Sequence, residues 1–166
     1  MRRSAIIAAL MLAACGDQPA AVDRSPGAQL EQAARAAGIV ADPAHASLVG
    51  SWARETDRMC VVPAAAGDSR NLRLGVLIDY GEGQGCVASG TARQHGDKVA
   101  VSLGGCRFDA PFDGERLSFP AELPAACDAL CTGRATLSAV SVERLSASVS
   151  EAETLRAPSG KPLCTG

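Results

Sequence analysis

Seven cysteines are the residues of this chain whose chemistry is most distinctive. A cysteine can form a disulfide, ligate a metal, act as a nucleophile or carry a lipid. Cys15 stands alone near the N-terminus, and the other six are Cys60, Cys86, Cys106, Cys127, Cys131 and Cys164. No pair has the C-x-x-C spacing of thioredoxin-like redox sites or of haem attachment. The spacing therefore favours disulfides for the six later cysteines and a separate role for Cys15.

The segment before Cys15 has the pattern of an export signal. Two arginines precede an apolar run from Ala5 to Ala14, which is much shorter than the ~20 residues that span a bilayer. The Leu-Ala-Ala-Cys sequence of residues 12–15 resembles the lipobox of bacterial lipoproteins. That resemblance implies cleavage after residue 14 and acylation of Cys15, which would anchor the protein to a membrane of the bacterial cell envelope. Gly16 in place of aspartate favours, by the same resemblance, the outer membrane and its periplasmic face.

With Cys15 assigned to lipid, an even number of cysteines remains, which in an exported chain predicts up to three disulfides. Strand parity makes Cys86–Cys106 feasible, and Cys60–Cys86 is the alternative. Cys127 and Cys131 lie one helical turn apart, so we expect each to reach Cys60 or Cys164. The Cys127-x-x-x-Cys131 spacing lacks the paired second half of a structural zinc site, so we expect no metal and no cofactor.

The elements that carry these cysteines begin after a stalk. Residues 16–27 are rich in Pro, Gly, Asp and Ala without apolar periodicity, which is typical of a flexible tether. Ser25 and Pro26 are expected as N-cap and first residue of a helix that covers Ala28–Ala37 and stops at Gly38. The chain is therefore predicted to consist of three segments: a signal peptide (1–14), a lipidated tether with a short helix (15–46) and a folded domain (47–166).

From Leu48 the apolar pattern has a period of two, which predicts strands with one buried face. We expect strands at Leu48–Arg54, Met59–Val62 and Leu72–Tyr80, with a polar turn at Glu55–Arg58. The third strand ends in the glycine-rich loop Gly81–Gly85.

Residues 85–120 are predicted to form two consecutive hairpins. A two-residue turn at Gly96-Asp97 pairs Ala92 with Val101 and separates apolar from polar side chains. A second turn at Asp113-Gly114 pairs Phe112 with Glu115 and again collects the apolar residues on one face. Both assignments place Cys86 and Cys106 inside.

The last part of the chain is predicted to contain both helices and a strand. One or two helical turns are expected over Ala125–Cys131, a closing strand over Arg134–Val142, and a last helix over Glu151–Ala157 with Ser150 as its cap. The fold class is therefore all-β: a small up-and-down antiparallel barrel or coiled sheet of about 7–8 strands. Short helices flank it and disulfides staple it.

Catalytic patterns are missing from the sequence. His45 lies in a linker and His95 beside a turn, which are typical places for solvated histidines. Asp109, Asp113 and Glu115 are candidate acids, but the sequence does not assemble them into a pair. Gly81-x-Gly83-x-Gly85 precedes a strand rather than a helix N-terminus, so it does not predict a phosphate loop. We expect no enzymatic activity and no catalytic residue.

Composition excludes another class of partner. The formal net charge of −2, the dispersed arginines and 3% aromatic residues argue against nucleic-acid binding.

Gly50-Ser51-Trp52 resembles the G-x-W signature of lipocalins, in which the tryptophan closes the base of the barrel. Together with Cys60 and Cys86 it also resembles the start of bacterial barrel inhibitors of secreted metalloproteases. The first expectation for function is a lipid-anchored, non-enzymatic binding or scaffolding module that contacts an envelope protein. The alternatives are a periplasmic inhibitor of a protease or lysozyme, and a lipocalin-like carrier of small apolar molecules.

Overall fold

A continuous antiparallel sheet makes up most of the computed structural model, which describes residues 25–68 and 70–164. The elements are α1 (Pro26–Ala36), β1 (Gly50–Arg54), β2 (Asp57–Pro63), β3 (Leu72–Asp79), β4 (Gly85–His95), β5 (Lys98–Leu103), β6 (Cys106–Pro111), β7 (Arg116–Ser118), a 3₁₀ helix (Ala125–Leu130), β8 (Cys131–Thr132), β9 (Ser141–Ser146) and α2 (Val149–Ala152). The predicted signal peptide, Cys15 and most of the stalk lie outside the described residues.

The sheet is a nearly closed barrel of eight strands. Hydrogen-bonded neighbours follow the order β6-β5-β4-β3-β2-β1-β9-β7, and a bridge between Phe112 and Leu117 brings β6 to β7. The two-residue strand β8 lies off this path and pairs with Gly85 and Cys86 at the start of β4. The predicted all-β, up-and-down barrel is confirmed, and closure leaves few free strand edges.

Alternation along the strands places one face of each strand in the barrel interior. In β4 and β5 the side chains of Ala88, Ala92, Val99, Val101 and Leu103 are buried, as the predicted turn at Gly96-Asp97 requires. The pairing of Ala92 with Val101 is confirmed. Such burial of apolar surface stabilises the fold by roughly 25 cal/mol per Å².

The second hairpin differs from the prediction by two residues. Phe112 pairs with Leu117 rather than with Glu115, so the loop is longer than the predicted two-residue turn. The Asp113 carboxylate explains the difference, because its Oδ1 accepts hydrogen bonds from the backbone N–H groups of Glu115 (2.9 Å) and Arg116 (2.6 Å). A shift of two residues preserves which side chains face inward, so the predicted buried face is nevertheless correct.

The helices agree with the sequence in part. Helix α1 begins at Pro26, and the Ser25 hydroxyl accepts from the N–H of Ala28, as predicted. The 3₁₀ helix matches the turns expected before Cys131. The closing strand was misplaced: it covers Ser141–Ser146, because Leu137 and Val140 enter the core from irregular backbone instead.

The last helix is also shorter and earlier than predicted. Helix α2 covers Val149–Ala152, and its N-cap is Ser148, whose hydroxyl accepts from the N–H of Glu151. Ser148 with Glu151 has the same capping spacing as Ser150 with Glu153, and the structure uses the earlier pair.

All six cysteines of the described residues form disulfides, but the favoured pairings are wrong. The bonds are Cys60–Cys164, Cys86–Cys131 and Cys106–Cys127. Strand β5 separates β4 from β6, so Cys86 and Cys106 do not meet even though both are buried inside. Cys106 instead bonds to Cys127 within the 3₁₀ helix, and Cys86 bonds to Cys131 at the start of β8.

Candidate functional site

The barrel interior is filled by side chains. Trp52, Leu48, Met59, Leu74 and Phe112 are each at most 2% exposed. The rest of this core is also buried, and the described residues contain no buried polar or charged side chain. The depressions described below therefore belong to the ends and the outer face of the barrel rather than to a central ligand chamber.

One part of the outer face is covered by the C-terminal segment. Cys60, Val62, Ala152, Leu163 and Cys164 form a second apolar cluster outside the barrel wall. Gly75 on β3 makes room for it: a Cβ there would lie 2.6 Å from the Cβ of Leu163 and 2.8 Å from the Sγ of Cys60. The C-terminal segment is thus part of the folded domain.

At one end of the barrel, Arg144 covers Trp52. The guanidinium lies 4.4 Å from the ring centroid and donates hydrogen bonds to the backbone oxygens of Ser47, Val49 and Gly114. Burial lowers the pKa of Arg144. Trp52 itself is buried in the main core at this end of the barrel.

An open cleft of about 700 Å³ adjoins this end, with Asp113, Glu115, Arg116 and Glu143 on its rim. Arg116 is paired with Glu143 at 2.5 Å, which raises the pKa of Arg116. The Gln94 side chain donates to the carbonyl oxygens of Pro43 (2.8 Å) and Ala46 (2.9 Å), which fixes the linker against the barrel beside this cleft.

The glycine-rich loop forms the rim of a second depression, about 490 Å³ in volume, which we call the loop pocket. Its lining is mainly apolar and comes from three parts of the chain: Leu77, Ile78, Val87, Leu130 and Pro158, together with the loop Gly81–Gly85. Leu77 and Val87 are cross-strand neighbours on the outer face. Tyr80, at the base of the loop, is 53% exposed.

The loop Gly81–Gly85 contains three residues with positive φ, and hydrogen bonds from Thr132 hold it in place. Gly81, Glu82 and Gly83 have φ values of 78°, 54° and 75°, and for Glu82 this conformation is unfavourable. The Thr132 hydroxyl donates to the carbonyl oxygens of Gly83 (2.8 Å) and Gly85 (3.2 Å). This geometry agrees with the prediction of a loop between strands rather than a phosphate loop.

The third depression is a trough of about 390 Å³ on the outer face of β4, β5 and β6. Thr91, Arg93, Ser102 and Arg107 line it, and Ala100 lies between Arg93 and Asp109. The sequence interpretation missed this grouping because it treated the arginines as dispersed. No local pattern in the sequence indicates this grouping, because it depends on the pairing of β5 with β6.

The predicted surface residues lie apart from one another. His95 is exposed, and exposed His45 contacts Asp42 at 2.7 Å. Asp109 lines the trough, whereas Asp113 and Glu115 lie at the cleft beside Arg144. Among residues 25–68 and 70–164, no group of His, Cys, Asp and Glu is arranged to hold a metal ion.

No helix in the described residues is both long and apolar enough to cross a membrane. Comparison with protein-family models, with curated proteins and with solved structures finds no match for this chain.

Proposed function

We propose that this protein is a lipid-anchored lipoprotein of the bacterial envelope, whose barrel acts as a non-enzymatic binding or scaffolding module. The observation that carries the proposal is the pairing of cysteines. All six cysteines other than Cys15 bond to one another, so the chain holds no internal disulfide partner for Cys15. Disulfides are typical of oxidising compartments, which agrees with export. The lipobox-like segment then gives Cys15 a role that needs no second cysteine.

The form of the barrel supports a binding role rather than transport in its interior. The packed core leaves no room among the described side chains for a carried molecule, which disfavours the lipocalin-like alternative. The outer face offers the loop pocket and the trough, both on strands held by disulfides. A rigid scaffold that presents loops and polar faces is the usual arrangement of a binding module.

The anchor can be tested by metabolic labelling with a fatty acid in a bacterial host that processes lipoproteins. The natural chain should incorporate label and fractionate with membranes, and Cys15→Ala should lose both properties. The control is the double variant Cys60→Ala/Cys164→Ala, which also removes cysteines but leaves the lipobox intact and should keep the label. Label that persists in Cys15→Ala, or is missing from the natural chain, would contradict the proposal.

A second candidate is an inhibitor of a co-exported protease or lysozyme. The supporting observation is the loop Gly81–Gly85, an exposed segment held by Thr132 in an unfavourable conformation at the edge of the loop pocket. Inhibitors gain affinity when the contacting loop is fixed before binding. Tight inhibition of one enzyme from a panel of envelope proteases and lysozymes should weaken in Thr132→Val. The control Thr154→Val changes a threonine away from the loop pocket and should leave the inhibition unchanged. If neither the natural chain nor the variants inhibit any enzyme of the panel, this candidate is excluded.

A further inference from the structure

We propose that the trough on β4, β5 and β6 is a binding site for a phosphate group. The inference does not depend on the lipid anchor, and it assigns a ligand class to a surface that the proposed function leaves open. Its basis is the cross-strand arrangement of cationic and hydroxyl side chains.

The register places donors side by side. Thr91 of β4 pairs with Ser102 of β5, which pairs with Arg107 of β6, so three donor side chains lie in one row across the sheet. Neighbouring strands are ~4.8 Å apart, and alternate residues along a strand are ~6.7 Å apart on the same face. Arg93 stands two positions beyond Thr91 on the same face, which puts its side chain over the same trough.

The floor of the trough is low because its central residue is small. Ala100 pairs with Arg93 on one side and with Asp109 on the other. Arg107 lies in the neighbouring row beside Ser102, so Arg93 and Arg107 are diagonal to each other across β5, and a longer side chain at Ala100 would extend into the trough next to Arg93. The small side chain therefore leaves open the space over β5, which the guanidinium of Arg93 can approach from β4 and that of Arg107 diagonally from β6.

The two arginines are available to a ligand. Neither Arg93 nor Arg107 forms an ion pair within 4.0 Å with a carboxylate of the described residues, and both are exposed. The Arg107 Nε donates a long hydrogen bond, 3.4 Å, to the Ser102 hydroxyl, which holds its guanidinium beside the trough. Arg73, next to Thr91, donates instead to the carbonyl of Ala64 and is engaged elsewhere.

The donor set matches a phosphate better than a carboxylate. Guanidinium groups bind phosphate through parallel, charge-assisted hydrogen bonds, and two hydroxyls add further donors. A phosphate presents three strong acceptor oxygens, whereas a carboxylate presents two. The Asp109 carboxylate also lines the trough, beside Ala100, and repels an anion, so its removal should strengthen binding.

The test is a titration of the full chain carrying Cys15→Ser, with inorganic phosphate as probe and the backbone amides of Thr91, Ala100 and Ser102 followed by NMR. Saturable shifts are expected with phosphate and weaker ones with acetate. Arg93→Gln/Arg107→Gln should lower the phosphate affinity about tenfold or more, because the charge-assisted hydrogen bonds of both guanidinium groups are lost. Asp109→Asn should raise it.

A matched control separates the site from overall charge. Arg134→Gln/Arg156→Gln removes the same number of charges at exposed residues outside the trough and should leave the affinity unchanged. A parallel sedimentation assay compares phosphatidylglycerol vesicles with phosphatidylcholine vesicles and identifies the source of the phosphate group. Binding to the phosphatidylglycerol vesicles indicates a lipid headgroup, and binding to inorganic phosphate alone indicates a soluble ligand. No saturable binding in either arm, or equal losses in both double variants, would overturn the proposal.

Discussion

The guanidinium carbon of Arg144 lies over the Trp52 ring, 4.4 Å from its centroid, and the indole Nε1 donates to the carbonyl of Leu48 at 3.1 Å. The pair joins the last barrel strand to the first, because Trp52 and Arg144 are also register partners of β1 and β9. Phe112 meets the same indole edge-to-face, with centroids 5.9 Å apart. Closure of the barrel at this end thus depends on one aromatic ring and the cation above it.

Replacing Arg144 by methionine should destabilise the protein while keeping its length and apolar stem. The change removes a cation–π contact and charged hydrogen bonds to backbone carbonyls, so the free energy of unfolding should fall by about 2 kcal/mol. Chemical denaturation measures the loss. Arg134→Met, at an exposed arginine whose side chain has no such contacts, should change the free energy by less than about 0.5 kcal/mol. Equal effects of the two substitutions would contradict the closure role.

Gly75 should be intolerant of even a methyl group. A Cβ would come within 3.0 Å of the Leu163 backbone carbon and closer to its Cβ, so Gly75→Ala must displace the C-terminal segment or the wall of the barrel. We expect a loss of about 1–3 kcal/mol, typical of overpacking, with faster hydrogen exchange around Leu163. The control Gly105→Ala places its Cβ 3.8 Å from the nearest side chain and should be close to neutral. If Gly105→Ala were the more harmful change, this assignment of the close approach would be wrong.

The sequence predicts which side chains of each strand face the barrel interior better than it predicts which residues pair across neighbouring strands. Period-two alternation placed Ala92, Val101, Phe112 and Leu117 inside, and this outcome survives a shift of two residues. The error at Phe112 came from treating Asp113-Gly114 as a minimal turn, whereas the Asp113 carboxylate stabilises a longer loop. Side-chain hydrogen bonds of this kind are not specified by the apolar pattern.

The disulfide connectivity and the trough required the three-dimensional path. Whether Cys86 bonds Cys106 or Cys131 depends on where the 3₁₀ helix returns to the barrel, and no local pattern fixes that return. Arg93 and Arg107 belong to different hairpins, and only the pairing of β5 with β6 brings them to one trough. Local periodicity predicts elements and faces, whereas contacts between distant segments depend on the complete topology.

The three disulfides should contribute unequally to stability. Cys60–Cys164 joins residues 104 apart, and Cys106–Cys127 joins residues 21 apart. Because a longer closed loop restricts the unfolded chain more, Cys60→Ala/Cys164→Ala should cost about 4–5 kcal/mol and Cys106→Ala/Cys127→Ala about 3 kcal/mol. Denaturation of both double variants measures the difference, and peptide mapping of the natural chain checks the pairing. The reverse order would indicate that residual structure in the unfolded chain outweighs loop length.

Asp57 and Asp68 should respond to pH in opposite directions. Burial, and secondarily Glu55, raises the pKa of Asp57, whereas hydrogen bonds from Asn71 and then Arg70 lower the pKa of Asp68. Between the usual value near 3.8 and its raised pKa, folded Asp57 binds more protons than the unfolded chain, so stability falls as the pH rises through that window. For Asp68 the folded state binds fewer protons, so its contribution is present above the usual value and is lost as the pH falls through the lowered pKa.

These signs predict opposite effects of a matched pair of substitutions. Asp57→Asn should stabilise the protein near neutral pH, and the gain should vanish once the pH falls below the usual value of an aspartate. Asp68→Asn should destabilise it near neutral pH because the neutral amide accepts more weakly from Asn71, and the loss should shrink as the pH falls. Denaturation curves of both variants and the natural chain from acidic to neutral pH measure the differences. A stabilising Asp68→Asn, or an Asp57→Asn effect that grows toward acidic pH, would contradict the burial and hydrogen bonding that set the two pKa values.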